Sequence, residues 1–301
     1  MLQAIAQPKQ RRALMVGLLF VSPWLINFVF FIIYPFFASL YYSFMSYDVF
    51  NPPNYVGFEN YSLLFTSDPI FYTALYNTLY FAFFSLTLGT VSAITIAMML
   101  NIRIRGLSFY RTIYYLPSVT PAVAQTILWL WLFNPVYGPI NLFIEGVGLR
   151  APSWLSDPAW TKPTLIILSL WNIGGSIVIY LAGLQDVPRS LLEAAELDGA
   201  NWLRKIRNVT IPMISPVIFF NVVTGLIGVL QYFTQAYIIS GGTGGPADST
   251  MFYTLYLFRS AFYSFKMGYA SAMAWVLFLL ILVLTMIVWR GSERFVYYEG
   301  G

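Results

Sequence analysis

Six stretches of this 301-residue chain contain no aspartate, glutamate, lysine or arginine: 13–47, 69–102, 112–144, 163–185, 208–247 and 267–289. Each exceeds the roughly 20 residues that an α-helix needs to cross a hydrocarbon core. In lipid, every backbone N–H and C=O must find a partner within its own segment, so runs of this length are helices. A transmembrane barrel would instead show segments of about ten residues with alternating polarity, and the sequence has none. The expected fold is an all-α membrane protein forming a single domain over 1–301. Its six transmembrane helices fall at about 14–45, 70–101, 112–134, 163–185, 209–239 and 267–289. The apolar run after MLQAIAQPKQRR is too long for a signal-peptide core and lacks a small-residue cleavage site, so it reads as a retained span.

Composition supports this reading. Only 9% of residues are charged and 58% are hydrophobic, with a mean hydropathy of +0.69, where a soluble domain carries about a quarter charged residues. An even number of spans puts both termini on one side. Lys9, Arg11, Arg12, Arg103, Arg105, Arg111, Arg189, Arg204, Lys205, Arg207, Arg290 and Arg294 fall on the loops of one set. Only Arg150, Lys162, Arg259 and Lys266 fall on the other. The positive-inside rule therefore places both termini in the cytoplasm. The net charge of +4 reflects those loops, and no basic arm or aromatic motif points to nucleic acid.

Several chemistries are excluded. The chain has no cysteine and no histidine, which removes disulfides, thiolate chemistry and the usual zinc sites. No acidic or basic residue lies well inside a span, which disfavours proton coupling strongly and sodium coupling less so. None of the four lysines, Lys9, Lys162, Lys205 and Lys266, completes a GxxxxGK[ST] phosphate loop. No catalytic or metal site is expected. If ATP drives this protein, ATP and magnesium sit in another chain.

The charge that the spans lack is concentrated in PRSLLEAAELDGANWLRKIRNVTIP, residues 188–212. Ser190 and Glu193 have the spacing of a capping box, ahead of a short helix rich in Ala, Leu and Glu. Asp198-Gly199 reads as a turn, and Asn201 as the cap of a second short helix. The result is a cytoplasmic helix–turn–helix. Lying on lipid headgroups is one use for such an amphipathic segment. Glu193, Glu196 and Asp198 would be repelled there, so a groove on a protein partner suits it better.

The same stretch resembles a known signature. Glu193-Ala194-Ala195, then Gly199, with Thr210-Ile211-Pro212 downstream, is similar to the EAA motif of binding-protein-dependent ABC importer permeases. Three further blocks resemble the carbohydrate branch of that family, of maltose and glycerol-phosphate type: YVGFENYSLLF with ALYNTLYF, RTIYYLPSVTPAVAQTILWLWLFNPVYGPIN, and GGTGGPADSTMFYTLYLFRSAF. The resemblance implies a second homologous permease subunit, two cytoplasmic ATPase subunits, an extracellular or periplasmic solute-binding protein, and a carbohydrate substrate. It also implies that Glu193, Ala194, Ala195, Asp198 and Gly199, with Arg204 beside them, couple the ATPase to the membrane domain.

A sugar path wants amides and aromatic faces without fixed charge. The candidates are Gln125 and Trp129 in the third span, Asn172 in the fourth, and Gln231, Tyr232 and Gln235 in the fifth. Gln125/Trp129 and Gln231/Gln235 have i, i+4 spacing and are expected to share helix faces. The competing use of such groups is bonding between neighbouring helices. ISGGTGGPADST, residues 239–250, reads as a flexible outer turn at a gate or at the binding-protein interface.

Overall fold

The computed structural model describes residues 8–102, 105–293 and 296. Arg103 and Arg294, two members of the charge bias, lie outside the described residues.

Helix α1 (Pro8–Asn27) passes through a π-helical turn (Phe28–Ile33) into α2 (Tyr34–Ser43). Pro35 cannot donate to the Phe31 carbonyl, and the wide turn absorbs that lost bond. A two-stranded antiparallel hairpin follows, β1 (Met45–Ser46) with β2 (Asn54–Tyr55), Met45 opposite Tyr55. Then come α3 (Glu59–Thr66) and α4 (Pro69–Leu100). Asp68 caps α4 by accepting from the Ile70 and Phe71 N–H groups, with Pro69 at the position where its missing N–H costs nothing. The chain continues through α5 (Leu107–Val119), α6 (Ala122–Leu132), α7 (Pro139–Gly146), α8 (Pro158–Trp171) and α9 (Gly174–Gln185). Two short helices, α10 (Arg189–Leu197) and α11 (Trp202–Lys205), lead through a π-helical turn into α12 (Ile211–Met213). The last elements are α13 (Ser215–Leu230), α14 (Thr234–Ser240), α15 (Tyr253–Phe262) and α16 (Met267–Ser292).

All six charge-free runs are helical, but three expected spans are broken. Leu14–Ser43, Pro69–Leu100, Ser215–Ser240 and Met267–Ser292 are long and apolar enough to cross a membrane. The third run, expected as 112–134, is α5 and α6 with a break at Thr120-Pro121. Pro121 has no N–H to give the Pro117 carbonyl, and the Gln125 amide donates to that carbonyl instead. The fourth run, expected as 163–185, bends by 48° between α8 and α9. Gly174 starts α9 hard against α5, where a Cβ would meet the Tyr114 carbonyl oxygen and the Tyr115 Cα. The fifth, expected as 209–239, breaks after Leu230. There Tyr232 leaves the helix to pack on Phe81 and Phe252, with ring centroids 4.3 and 5.2 Å away, and Phe233 packs on Phe258 at 5.0 Å. Such ring contacts offset the lost helical bonds.

The chain divides into two compact units, residues 8–67 with 260–276 and residues 68–259 with 277–293. In the first, Asn60 on α3 donates to the Ser43 and Met45 carbonyls, each at 2.9 Å, and the Tyr61 hydroxyl reaches Ser43 Oγ at 2.8 Å. Gly268 sits so close to the Met45 carbonyl that any Cβ would collide with it. Asp48 accepts from the Asn51 side chain and from the Phe50 and Asn51 N–H groups. The Asn51 side-chain bond foremost, then its backbone N–H, holds that carboxyl below its usual range.

In the second unit α4 is the spine, and α8, α9 and α13 all pack on it. One core cluster gathers Ala93, Ala97, Tyr180, Leu181 and Ile214. Another gathers Phe81, Leu165, Met251, Phe252 and Leu255. The Gly-rich segment after α14, expected as a flexible turn, belongs to this unit and is tied to α4 by side-chain hydrogen bonds. Asn77 of α4 donates to the Asp248 and Met251 carbonyls at 2.8 and 3.1 Å. It accepts from Lys162 Nζ at 3.0 Å, and the Tyr253 N–H bonds to Thr78 Oγ1 at 2.8 Å. Two side chains on α4 thus replace the backbone partners that an irregular segment lacks.

Candidate functional site

Two features of the larger unit carry the candidate residues: a knob formed by α10 and α11, and a cavity among α4, α6, α8, α9 and α13.

In the knob, α10 opens at Arg189, with Pro188 in the N-cap position and no side-chain cap. The capping box expected from Ser190 and Glu193 therefore does not form, because Pro188 sets the helix start two residues early and puts Ser190 inside the first turn. The other end follows the sequence reading. Gly199 has φ +74°, its N–H bonds to the Glu196 carbonyl at 3.0 Å, and the Ala200 N–H bonds to the Ala195 carbonyl at 2.9 Å. This pair closes the helix in the way that a left-handed glycine allows. Asn201 then caps α11 by accepting from the Arg204 N–H at 2.9 Å. An ion pair between Lys205 and Glu196 braces α11 against α10.

The knob exposes what a soluble surface would hide. Leu197 is 90% exposed, Trp202 69% and Leu203 64%. Glu193, Ala194, Asp198, Gly199 and Arg204 are also exposed, and Ala195 is half-buried. An apolar tip edged by charge has the character of an interaction surface.

The cavity has a volume of about 380 Å³, within the range of small-molecule sites. Gln125, Trp129, Asn172, Tyr232 and Gln235 all line it. Gln231 does not. It terminates α13 and is exposed, so the break after Leu230 removes the helix face that Gln231 and Gln235 were expected to share. Gln125 and Trp129, on the unbroken α6, do share one. Trp129 is held as a platform by Phe133, stacked at 5.2 Å, and Trp171, edge-on at 5.6 Å.

Sequence reasoning missed the hydroxyls and one amide. Ser85, Thr126, Ser169 and Asn221 also line the cavity. Ser85, Thr126 and Ser169 each donate to a carbonyl of their own helix, which turns their oxygen lone pairs towards incoming donors. Asn221, Gly225 and Gly228 recur at helical spacing on α13, and Ser85 and Gly89 are four apart on α4. That pairing of polar with small residues on one face was the available signal. Among the described residues no charged side chain lines the cavity.

Comparison with known proteins agrees with this architecture. Residues 85–294 match the family described as binding-protein-dependent transport system inner membrane component. The chain is 42% identical to the probable ABC transporter permease protein YesP of Bacillus subtilis, over 96% of this chain and 94% of that one. It is 34% identical to the lactose transport system permease protein LacF of Rhizobium radiobacter (92% and 94% covered). With the sn-glycerol-3-phosphate transport system permease protein UgpA of Pectobacterium atrosepticum it shares 36% (93% and 94% covered). Its fold is similar to a chain in the crystal structure of a bacterial alginate ABC transporter in complex with alginate pentasaccharide-bound periplasmic protein. The TM-score is 0.79 at 24% identity, with 95% of this chain and 96% of that one covered.

Proposed function

The chain belongs to the family of binding-protein-dependent transport system inner membrane components, and from that premise we propose that it is the permease subunit of an ATP-driven carbohydrate importer. The observation that carries the substrate class is the cavity, with amides, hydroxyls and aromatic faces around it and, among the described residues, no fixed charge. Sugars present hydroxyls that both donate and accept, and C–H faces that stack on rings. Trp129 and Tyr232 supply the rings. Asn172 and Gln235 supply amides, and the Gln125 carbonyl oxygen remains for a sugar hydroxyl once its NH₂ serves Pro117. Relatives named for lactose and glycerol-3-phosphate transport support a carbohydrate or a related polyol derivative.

The chain itself makes no covalent chemistry. ATP and its magnesium are hydrolysed by two cytoplasmic ATPase subunits, a second homologous permease completes the path, and a solute-binding protein delivers the sugar from outside. Both termini and the α10–α11 knob face the cytoplasm in this reading, which the bias of basic residues supports. Glu193, Ala194, Ala195, Asp198, Gly199 and Arg204 seat the knob in an ATPase groove. Work enters as differential binding of that knob between two ATPase states. Breaks in three spans offer places where such motion can be taken up without melting a helix.

The test is reconstitution. The permease pair, ATPase and binding protein are purified together, and the sugar that raises the binding protein's melting temperature is used for uptake into ATP-loaded vesicles. Trp129→Ala and Gln235→Ala should each lower uptake about tenfold, the effect of losing one good contact, with binding-protein affinity unchanged. Undiminished uptake by both variants would remove the cavity from the path. Uptake by the single purified chain without ATPase would overturn the importer reading itself.

A further inference from the structure

A second cavity, distinct from the first, opens at the end of the bundle that carries the knob. It has a volume of about 240 Å³, and α5, α9 and the last residue of α4 line it. Gly174 lets α9 meet α5 closely beside Tyr115. From that contact towards Gln185 a wedge remains between them. Its walls are apolar: Leu100, Ile177, Val178 and Leu181. Its polar groups are Arg111, one turn from Tyr115, and Gln185 at the end of α9.

Arg111 is the chemically incomplete member. One guanidinium nitrogen, Nη2, donates to the Leu100 carbonyl at 3.3 Å, where α4 ends. Its Nε is buried and has no hydrogen-bond partner. Among the described residues no carboxylate lies within ion-pair distance of it. An unpaired buried donor on a full positive charge is costly. An anion with several acceptor oxygens would relieve that cost, and a guanidinium fits a phosphate in a forked geometry.

We propose that this wedge is a binding site for an anionic phospholipid, with the headgroup phosphate on Arg111 and the glycerol and upper acyl chain against Val178 and Tyr115. The layering decides between a lipid and a free anion. The apolar wall runs into the bundle from the Arg111 level, and Val178 and Tyr115 are exposed on it, as a ligand that is polar at one end and oily at the other requires. Arginine-bearing pockets between spans at the cytoplasmic level commonly hold acidic headgroups. Nothing in this proposal depends on which solute is carried, and Arg111 lies in neither the cavity of the proposed sugar path nor the knob.

The test is native mass spectrometry of the full chain, alone and co-purified with its partner permease, from mixed phosphatidylglycerol and phosphatidylcholine bilayers. The wild-type protein and Arg111→Lys should retain phosphatidylglycerol over phosphatidylcholine. Arg111→Gln should lose about tenfold of that preference, the worth of one charge-assisted bond. Val178→Trp keeps the charge but fills the wedge, and should lose the adduct as well. Arg105→Gln, a basic neighbour in sequence outside the lining, should keep it. An excess of inorganic phosphate should leave the adduct in place. Retention of phosphatidylglycerol by both Arg111→Gln and Val178→Trp would overturn the proposal. So would displacement by phosphate, which would make the site one for a free anion. Loss of the adduct on pairing with the second permease would give the wedge to a protein side chain.

Discussion

Gly199 shows how much a single residue decides in this protein. Its φ of +74° ends α10, and beyond its chain neighbours nothing lies within 4 Å of where a Cβ would stand. Substitution there is a matter of backbone conformation, not of space. Gly199→Ala should cost about 1 kcal/mol locally, as expected for a left-handed non-glycine residue, and leave the protein in the membrane. Gly199→Asp adds a charge beside Asp198 and should leave ATP hydrolysis running while sugar uptake fails. Parallel phosphate-release and uptake assays on one vesicle preparation check this, and full uptake would remove Gly199 from the coupling element. Glu193→Lys reverses a charge at an exposed position and should behave like Gly199→Asp.

At the scale of elements, α4 organises the larger unit through a few buried polar groups. Asn77 satisfies two carbonyls of the Gly-rich segment and accepts from Lys162. Asn77→Ala orphans both carbonyls and should destabilise by about 2–3 kcal/mol. Asn77→Asp keeps the size but exchanges the donor NH₂ for a second oxygen, so it should not rescue. Thermal unfolding in detergent, followed by light scattering, reads both. This latch was not legible in the sequence: Asn77 looks like any polar residue in a long apolar run, and the two carbonyls it serves lie more than 170 residues away. The spans were legible because absence of charge is a local property. Their breaks were half legible. Pro121 announces one, but the break after Leu230 arises from rings on α4 and beyond α14, which only the fold brings together. The knob was legible down to its terminal glycine and second cap, since capping is local. The start of α10 was misread because Pro188 outweighs a serine two residues on. Gln231 was misassigned for the same kind of reason, since a face-sharing argument holds only while the helix continues.

For the whole molecule, the absence of cysteine makes orientation directly measurable. Single cysteines at Ser67 and Thr243 should react with a membrane-impermeant maleimide added outside. One at Ser190 should react only after permeabilisation. The reverse pattern would invert the bundle and with it the coupling scheme. The account's central claim is that nucleotide-driven force from another subunit enters through the α10–α11 knob. Cross-linking from a cysteine at Ala194 in the assembled, reconstituted complex tests it most directly. The account predicts one cross-linked product, permease joined to ATPase, whose yield changes when ATP is bound. Ala194 found in contact with lipid, with no ATPase product in any nucleotide state, would contradict it.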